Sequence, residues 1–409
     1  MKSISNSFNH MLETDNIKKT IVKALKHKRK TKTLYKFYSY GLSKQTSRIS
    51  MLVKLGLLPK INTNKNKYKI INESTNKKQR EICPPSIENH VVHHLVIQEL
   101  QPIFEKGMYD FCVASVPNRG TTYGVKYIKK WLCKYTKNNK KCYILKLDIH
   151  HFFASIDRYI LFEKLSKHIK DIKFLKVISR IIWHDDKDAR QIRINNNNKS
   201  LTPKPNGNNS KGIPIGFYTS QWFANFYLQD FDYFIKQQLH IPHYMRYMDD
   251  MILISNNKQQ LYQALNSIII YLREKLGLEL NKNWQLFRYS YRTRYGKEKG
   301  RALDFIGYVF HYNRICIRKS TLKSTRRKAN KIYKNVKNNR KINWYEASQM
   351  ISYAGRIKHT NTLSYFSKYI LSKVSIRQLR IVISNHSKYI NKLLSEWRKY
   401  YDGFTMETM

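Results

Sequence analysis

Two adjacent carboxylates, Asp249 and Asp250, sit within an apolar and aromatic stretch, His243-Tyr244-Met245-Arg246-Tyr247-Met248-Asp249-Asp250-Met251-Ile252-Leu253-Ile254-Ser255. Neighbouring side chains on a straight strand point to opposite faces, so the two acids can share a site only where a tight turn re-aims them. The stretch therefore predicts a β-hairpin with the carboxylates at its bend. Two carboxylates in a turn offer hard oxygen ligands. Mg²⁺ is usually held by one or two carboxylates, with substrate phosphates and water completing its shell. A solvated turn can have the same composition, so the chemistry needs a third acid from elsewhere in the chain. The apolar stretch Tyr143-Ile144-Leu145-Lys146-Leu147-Asp148-Ile149 supplies it, because a buried strand ending in Asp148 can deliver that acid beside the hairpin.

The elements around these acids follow from punctuation and periodicity. Helical, basic segments fill residues 1–60, the last with apolar positions Ile49, Leu52, Val53 and Leu57. A loop or hairpin occupies 61–80. Ser86 then caps a helix over 87–100 that presents Ile87, Val91, His94, Leu95 and Gln98 on one face. Pro117 to Gly124 is a glycine-punctuated basic loop leading into a helix over 125–135, and its amides and Arg119 suit a phosphate. Residues 185–211, rich in Asn and Lys, read as a mobile loop. Gly212-Ile213-Pro214-Ile215-Gly216-Phe217 leads into a helix to about 238. Its glycines permit close backbone approach to a ligand, and Ser220 and Gln221 can hydrogen-bond one. An amphipathic helix over 260–276, an edge strand over 278–282 and a hairpin over 303–317 follow. Residues 320–397 are helical and heavily basic, and the run Lys323-Ser324-Thr325-Arg326-Arg327-Lys328 is a candidate grip on a nucleic-acid duplex.

Composition narrows the class. The chain of 409 residues is long enough for two or three subdomains, and its 77 Lys and Arg against 27 Asp and Glu give a net charge of +50. With 42% hydrophobic residues it is globular and calls for a polyanionic partner. Its 30 Tyr and 18 Phe, interleaved with cations, suit single-stranded bases and backbones. No apolar run reaches membrane-spanning length and residues 1–16 lack a signal-peptide core, so the expected location is the cytoplasm, without a membrane partner. Five scattered cysteines read as reduced thiols. Cys83 with His90, His93 and His94 lacks a second cysteine at zinc-ligand spacing, so these read as ordinary helix histidines.

Taken in order, strand-borne Asp148, Ile215-Gly216-Phe217-Tyr218-Thr219-Ser220-Gln221, Tyr247-Met248-Asp249-Asp250 and Phe305-Ile306-Gly307-Tyr308 resemble the palm motifs of reverse transcriptases. The resemblance runs from about Arg80 to the C-terminal helices. Within the superfamily it points to the prokaryotic branch: group II intron, diversity-generating retroelement and phage-defence enzymes. Ile215 before Gly216, and the stretch Ser352 to Thr360, are similar to the diversity-generating type. The Val-Thr-Gly element of retrons is not found in the thumb. About 100 residues follow Tyr308, enough for a thumb alone, so no integrase, endonuclease or RNase H domain is expected.

The resemblance implies an α/β (α+β) right-hand polymerase: N-terminal extension and fingers over 1–140, an antiparallel-sheet palm over 141–315 and a basic helical thumb over 316–409. It further implies RNA-directed DNA synthesis from deoxynucleoside triphosphates with Mg²⁺, or Mn²⁺ as the alternative. Asp148 and Asp249 should bind both metals, with Asp250 nearby and the Ile149 carbonyl helping. Phe153 should stack under the sugar and exclude a 2′-hydroxyl. Gln221 should contact the templating nucleotide, Arg80 the triphosphate, and Lys282 should protonate the leaving pyrophosphate, whereas Asp157 is structural. The expected partners are an RNA template, a DNA or RNA primer, and a dedicated noncoding RNA or accessory protein, with oligomerisation left open. Phage defence is the expected role. A diversity-generating cassette, template-independent synthesis and a non-catalytic RNA-binding protein are the alternatives.

Overall fold

The computed structural model describes residues 4–25, 32–59, 69–72, 79–137, 140–184, 192–195, 200–203, 210–357 and 360–402. At its centre is a four-stranded antiparallel sheet in the order His243–Tyr247, Asp250–Ser255, Tyr143–Leu147, Gln285–Arg288. Alternate side chains of the two middle strands enter two separate cores. Leu145, Leu147, Met251 and Leu253 face one, while Ile144, Ile252 and Ile254 face the other. A strand covered on both faces needs apolar residues at successive positions, which is why both strands read as near-continuous apolar runs.

The first core is built on helix Ile87–Lys106, helix Tyr218–Tyr227, the N-terminal helices and helix Lys258–Leu276. The second is closed by helix Thr121–Lys137, a three-stranded antiparallel sheet (Leu303–Phe305, Tyr308–Phe310, Ile315–Ile317) and the C-terminal helices Lys319–Lys337, Trp344–Ile357 and Ile376–Asp402. This mixture of helices with antiparallel sheet is the fold class expected from the sequence. Among the described residues no helix is long and apolar enough to cross a membrane.

The outer edge of the His243–Tyr247 strand is covered rather than open. Arg246 N–H donates to the Phe111 carbonyl at 3.0 Å and Val113 N–H to the Arg246 carbonyl at 2.9 Å, a parallel bridge that occupies groups an edge strand would otherwise present to solvent. The Arg246 side chain is fully buried. Its guanidinium forms a two-pronged pair with Asp232 (Nε–Oδ1 2.8 Å, Nη2–Oδ2 2.6 Å) and donates from Nη1 to Asn225 Oδ1 and to the Met248 carbonyl. Tyr244 Oη donates to Asp232 at 2.7 Å, and Asn225 Nδ2 to the Ala114 carbonyl at 2.8 Å.

Several local expectations change. Helix Leu42–Lys54 ends before Leu57, which is 52% exposed, so the apolar spacing there overran the element. Ser86 does cap the next helix, accepting from Asn89 N–H at 3.1 Å, but that helix continues through Pro102 to Lys106. Burial extends well beyond the expected face, because Val92, His93, Val96 and Ile97 are enclosed along with Val91 and Leu95, while Pro102, Glu105 and Lys106 are exposed. Residues 278–282 make a single bridge, Ile149 to Leu280; the sheet edge is the later strand Gln285–Arg288. The hairpin at 303–317 is a three-stranded unit, split where Ile306 and Gly307 both adopt positive φ. Of the loop expected at 185–211, Ile192–Asn195 and Ser200–Pro203 pair as a short antiparallel ladder, and 185–191, 196–199 and 204–209 lie outside the described residues. Asp157 caps helix Arg158–Ser166 by accepting from Tyr159 and Ile160 N–H.

The expected ligand-facing role of the glycines also changes. Gly216 has φ 116°, and a Cβ on it would lie 2.7 Å from the Cys83 carbonyl oxygen. The close approach is therefore chain to chain, where Cys83 N–H donates to the Ile215 carbonyl at 2.8 Å. Ser220 Oγ donates to the Pro214 carbonyl at 2.7 Å and is buried, so it braces the same loop.

Two stability outcomes follow. Asp232→Asn leaves the Arg246 guanidinium buried without its counter-charge and should lower the unfolding free energy in urea by about 3–5 kcal/mol. Glu163→Gln removes the exposed pair with Lys167 and should change it by less than about 0.5 kcal/mol. Equal losses would contradict the central role of the buried pair. Gly216→Ala should lower the thermal midpoint, whereas Gly355→Ala, in helix Trp344–Ile357 with nothing near its Cβ, should hold or raise it.

Candidate active site

The site begins with the turn. Tyr247 pairs with Asp250, leaving Met248 and Asp249 as a two-residue bend in which Met248 adopts φ 56°. For a residue with a side chain, that left-handed conformation costs about 1–2 kcal/mol. The Arg246 Nη1–H donates to the Met248 carbonyl at 3.2 Å and so restrains the bend from behind. Leu147 pairs with Met251, and one residue beyond this pair Asp148 comes alongside Asp250. The register of three strands thus brings together acids separated by about 100 residues.

Asp148 is further held by Asn281. The Asn281 backbone N–H donates to the Asp148 carbonyl at 2.8 Å, and its Nδ2–H to Oδ2 at 3.3 Å. Asp148, Ile149, Phe153, Asp249, Asn281 and Arg80 line one cavity of ≈ 870 Å³. Burial pushes the Asp249 carboxyl up to about 6, with the Asp148 charge adding to the rise and Arg80 opposing it. Asp250 is also raised, chiefly by burial, while Lys146 pulls it back. These carboxylates are therefore short of positive charge, the environment in which a bound cation is favoured. Among the described residues no three His, Cys, Asp or Glu side chains close on one ion position. The donor set fits an ion held by one or two carboxylates and completed by substrate phosphates and water, as Mg²⁺ is.

The other sequence-derived residues divide. In the Ile149–Leu280 bridge, His150 N–H donates to Glu279 and Asn281 N–H to Asp148, so the Ile149 carbonyl itself points away from that partner strand. Phe153 is half-buried on the short helix Phe152–Ser155, and its carbonyl accepts from Ile213 N–H at 2.9 Å. Arg80 reaches the cavity from the strand Gln79–Ile82. Gln221 is exposed and outside the cavity lining, its Oε1 accepting from Ser115 Oγ at 2.9 Å. Lys282 is also exposed and outside the lining; its neighbour Asn281 occupies that place.

Sequence reasoning missed Asn281, Arg158 and Lys211, all on the cavity wall. Arg158 Nε–H donates to the Gly212 carbonyl at 2.6 Å and ties the glycine segment to the helix after Asp148. Asn281 had a signal: it opens the segment returning towards the sheet. Arg119, expected to suit a phosphate, donates to the Tyr109 carbonyl at 2.8 Å and pairs loosely with Asp110. In the basic C-terminal helix Arg326 lies over Tyr369 and Lys328 donates to Gln349, while Arg327 and Lys323 are exposed. His93 is a core residue bonded to Thr219 Oγ1 at 2.8 Å, and burial lowers it to about 3.

Comparison with known proteins gives likenesses of different weight. The Escherichia coli (strain K12) protein YkfC is 19% identical over 166 residues, and the chain spans 39% of its length, with 40% of this chain covered. A Candida tropicalis telomerase structure in complex with a TWJ fragment of telomeric RNA has a TM-score of 0.45 at 13% identity, covering 84% of this chain and 62% of that one. The apo telomerase of the same organism, truncated from its C-terminal domain, has a TM-score of 0.41 at 14% identity, covering 62% of this chain and 54% of that one. A family model matches residues 60–310, more than half of the chain and including Arg80, all three acids, the Gly216 segment and Phe305 to Tyr308, so the chain belongs to the reverse transcriptase (RNA-dependent DNA polymerase) family.

Proposed function

We propose that this RNA-directed DNA polymerase adds deoxynucleotides to a primer 3′-hydroxyl at the cleft lined by Asp148 and Asp249. The reading is carried by the convergence of Asp148, Asp249 and Asp250 in a desolvated, charge-deficient corner next to a cavity of ≈ 870 Å³. Asp148, Asp249 and the Ile149 carbonyl would hold divalent cations, Mg²⁺ or alternatively Mn²⁺, with Asp250 close by. When bound, such ions activate the attacking hydroxyl and neutralise charge on the leaving oxygen. Asn281 keeps the Asp148 carboxylate aimed, and Arg246 keeps the Met248–Asp249 bend in its strained form. Arg80 approaches the triphosphate from the Gln79–Ile82 strand. Phe153 forms the floor against which a 2′-hydroxyl would clash. Gln221, oriented by Ser115, is assigned to the templating nucleotide, and Lys282 to the leaving pyrophosphate from outside the cleft.

The same proposal divides the chain into fingers to about 140, a palm over 141–315 and a thumb beyond. Its partners are an RNA template, a DNA or RNA primer and a dedicated noncoding RNA or accessory protein, supported by a charge of +50 that suits continuous association with a structured polyanion. The role we assign is phage defence. A diversity-generating cassette is the second reading, favoured by Ile215 before Gly216 and by the stretch from Ser352 to Thr360.

Asp249→Asn should remain folded and lose primer extension on an RNA template in Mg²⁺. Extension near the parent rate would sink the metal-site assignment. Phe153→Val should admit ribonucleotides while leaving metal dependence intact, measured as the ratio of kcat/KM for deoxynucleotide over ribonucleotide. An unchanged ratio would move the sugar gate elsewhere.

A further inference from the structure

The sheet edge carries a feature that the polymerase reading does not use. The strand Gln285–Arg288 pairs Gln285 with Lys146 and Arg288 with Tyr143, so it leaves the sheet at the end away from Asp148. At about 3.3–3.4 Å per residue, Arg288 lies about 17 Å from the level of Asp148. There the chain projects as a hairpin in which Tyr291 pairs with Lys299 and Arg292 with Glu298. Between 288 and 301 are six cations, Arg288, Arg292, Arg294, Lys297, Lys299 and Arg301, against Glu298 as the single acid.

This hairpin is rigidly mounted. Tyr289 N–H donates to the Cys142 carbonyl at 2.9 Å, Tyr289 Oη–H to the His311 carbonyl at 2.6 Å, and Arg301 N–H to the Arg288 carbonyl at 3.0 Å. Gly300, at φ 85°, lets the two limbs meet, since a Cβ there would lie 2.6 Å from the Tyr289 carbonyl oxygen. Thr293 N–H closes the tip by donating to the Lys297 carbonyl at 2.9 Å. At that tip Tyr295 is 75% exposed. Its ring carries the Arg294 guanidinium at 4.9 Å, and Arg288 lies over Tyr291 at 3.6 Å. None of the six cations is in an ion pair with a described residue.

We propose that this hairpin is a binding site for single-stranded nucleic acid outside the catalytic cleft, with the cations on the phosphates and Tyr295 stacked on a base. Positive charge on an edge hairpin also deters edge-to-edge pairing, but that role has no use for an exposed aromatic at a tip where small polar residues are the norm. Stacking faces interleaved with unpaired cations match a strand whose bases are splayed outward. The site deepens the partner reading above and rests on the chain being a nucleic-acid protein, but not on its chemistry.

The test is equilibrium binding by the full chain, without metal or nucleotides, of an oligouridylate RNA and an oligothymidylate DNA. Replacing Arg292, Arg294, Lys297 and Lys299 together by Ala should reduce the slope of log affinity against log salt by about 0.7 for each phosphate that is no longer neutralised. Tyr295→Ala should weaken binding about fivefold or more. Primer extension by the parent and by both hairpin variants, measured separately in Mg²⁺, reads the polymerase assignment, so failure of one reading is distinguishable from failure of the other. Loss confined to RNA identifies RNA as the ligand, and loss with both strands identifies their shared backbone and bases. Unchanged slope and affinity for both strands in both variants, with parent-like thermal unfolding, overturns the proposal. A reduced slope with full affinity in Tyr295→Ala overturns its base-stacking half.

Discussion

The buried pair between Arg246 and Asp232 is the interaction on which the catalytic half of the molecule depends. Each partner is fully enclosed. Desolvating two charges costs several kcal/mol per ion, and the cost is offset only where every lone pair and proton finds a partner. Here the offset is nearly complete: two parallel bonds between the ions, Tyr244 on the carboxylate, and Asn225 and the Met248 carbonyl on the remaining guanidinium nitrogen. The pair therefore joins a helical turn, the hairpin strand and the bend next to Asp249 into one unit. A misplacement of any of these leaves a buried charge unsatisfied, which makes the geometry of the bend specific rather than merely favourable.

That specificity matters because the bend is strained and its neighbours repel. Met248 occupies a left-handed conformation, and Asp249 faces Asp148 and Asp250 in a setting that disfavours its ionised form. An isolated hairpin would relax both conditions by opening. The scaffold prevents this with the covered strand edge at Phe111 to Val113 on one side and the Asn281 bonds to Asp148 on the other. Held in place, the carboxylates form a locally acidic corner in a chain of strongly positive charge, a contrast that attracts polyanions to the surface and cations to the cleft.

Many of the basic residues serve the protein itself. Arg119 holds the 109–119 loop, Arg158 the glycine segment, Lys164 the Tyr227 carbonyl and Asp230, and Arg318 grips Asp304 with two nitrogens. Counting charge in the sequence therefore overstates the surface available to nucleic acid. It is the cations left without a carboxylate partner among the described residues, clustered with aromatic rings on a hydrogen-bonded support, that define an interface, and the hairpin at 288–301 has that combination.

The sequence by itself determined the elements and the acids. Apolar and aromatic residues on both sides of Asp249-Asp250 pointed to a hairpin, the apolar run before Asp148 to a buried strand, and Ser86 to a helix start, because each of these rests on composition or capping within a few residues. The family was legible for the same reason, since its motifs are short and ordered. Tertiary structure alone decided which side chains complete the site. The partners of Arg246 come from the loop at 111–113 and the helical turn at 232, Gly216 is required by the carbonyl of Cys83, and Ser115 orients Gln221 from 106 residues away. Ser220 looked like a ligand donor and turned out to brace Pro214, and Asn281 rather than Lys282 reached the cleft. A side chain's partner depends on where distant backbone passes, and that is set by packing of two cores against opposite faces of one sheet, information that no local pattern contains.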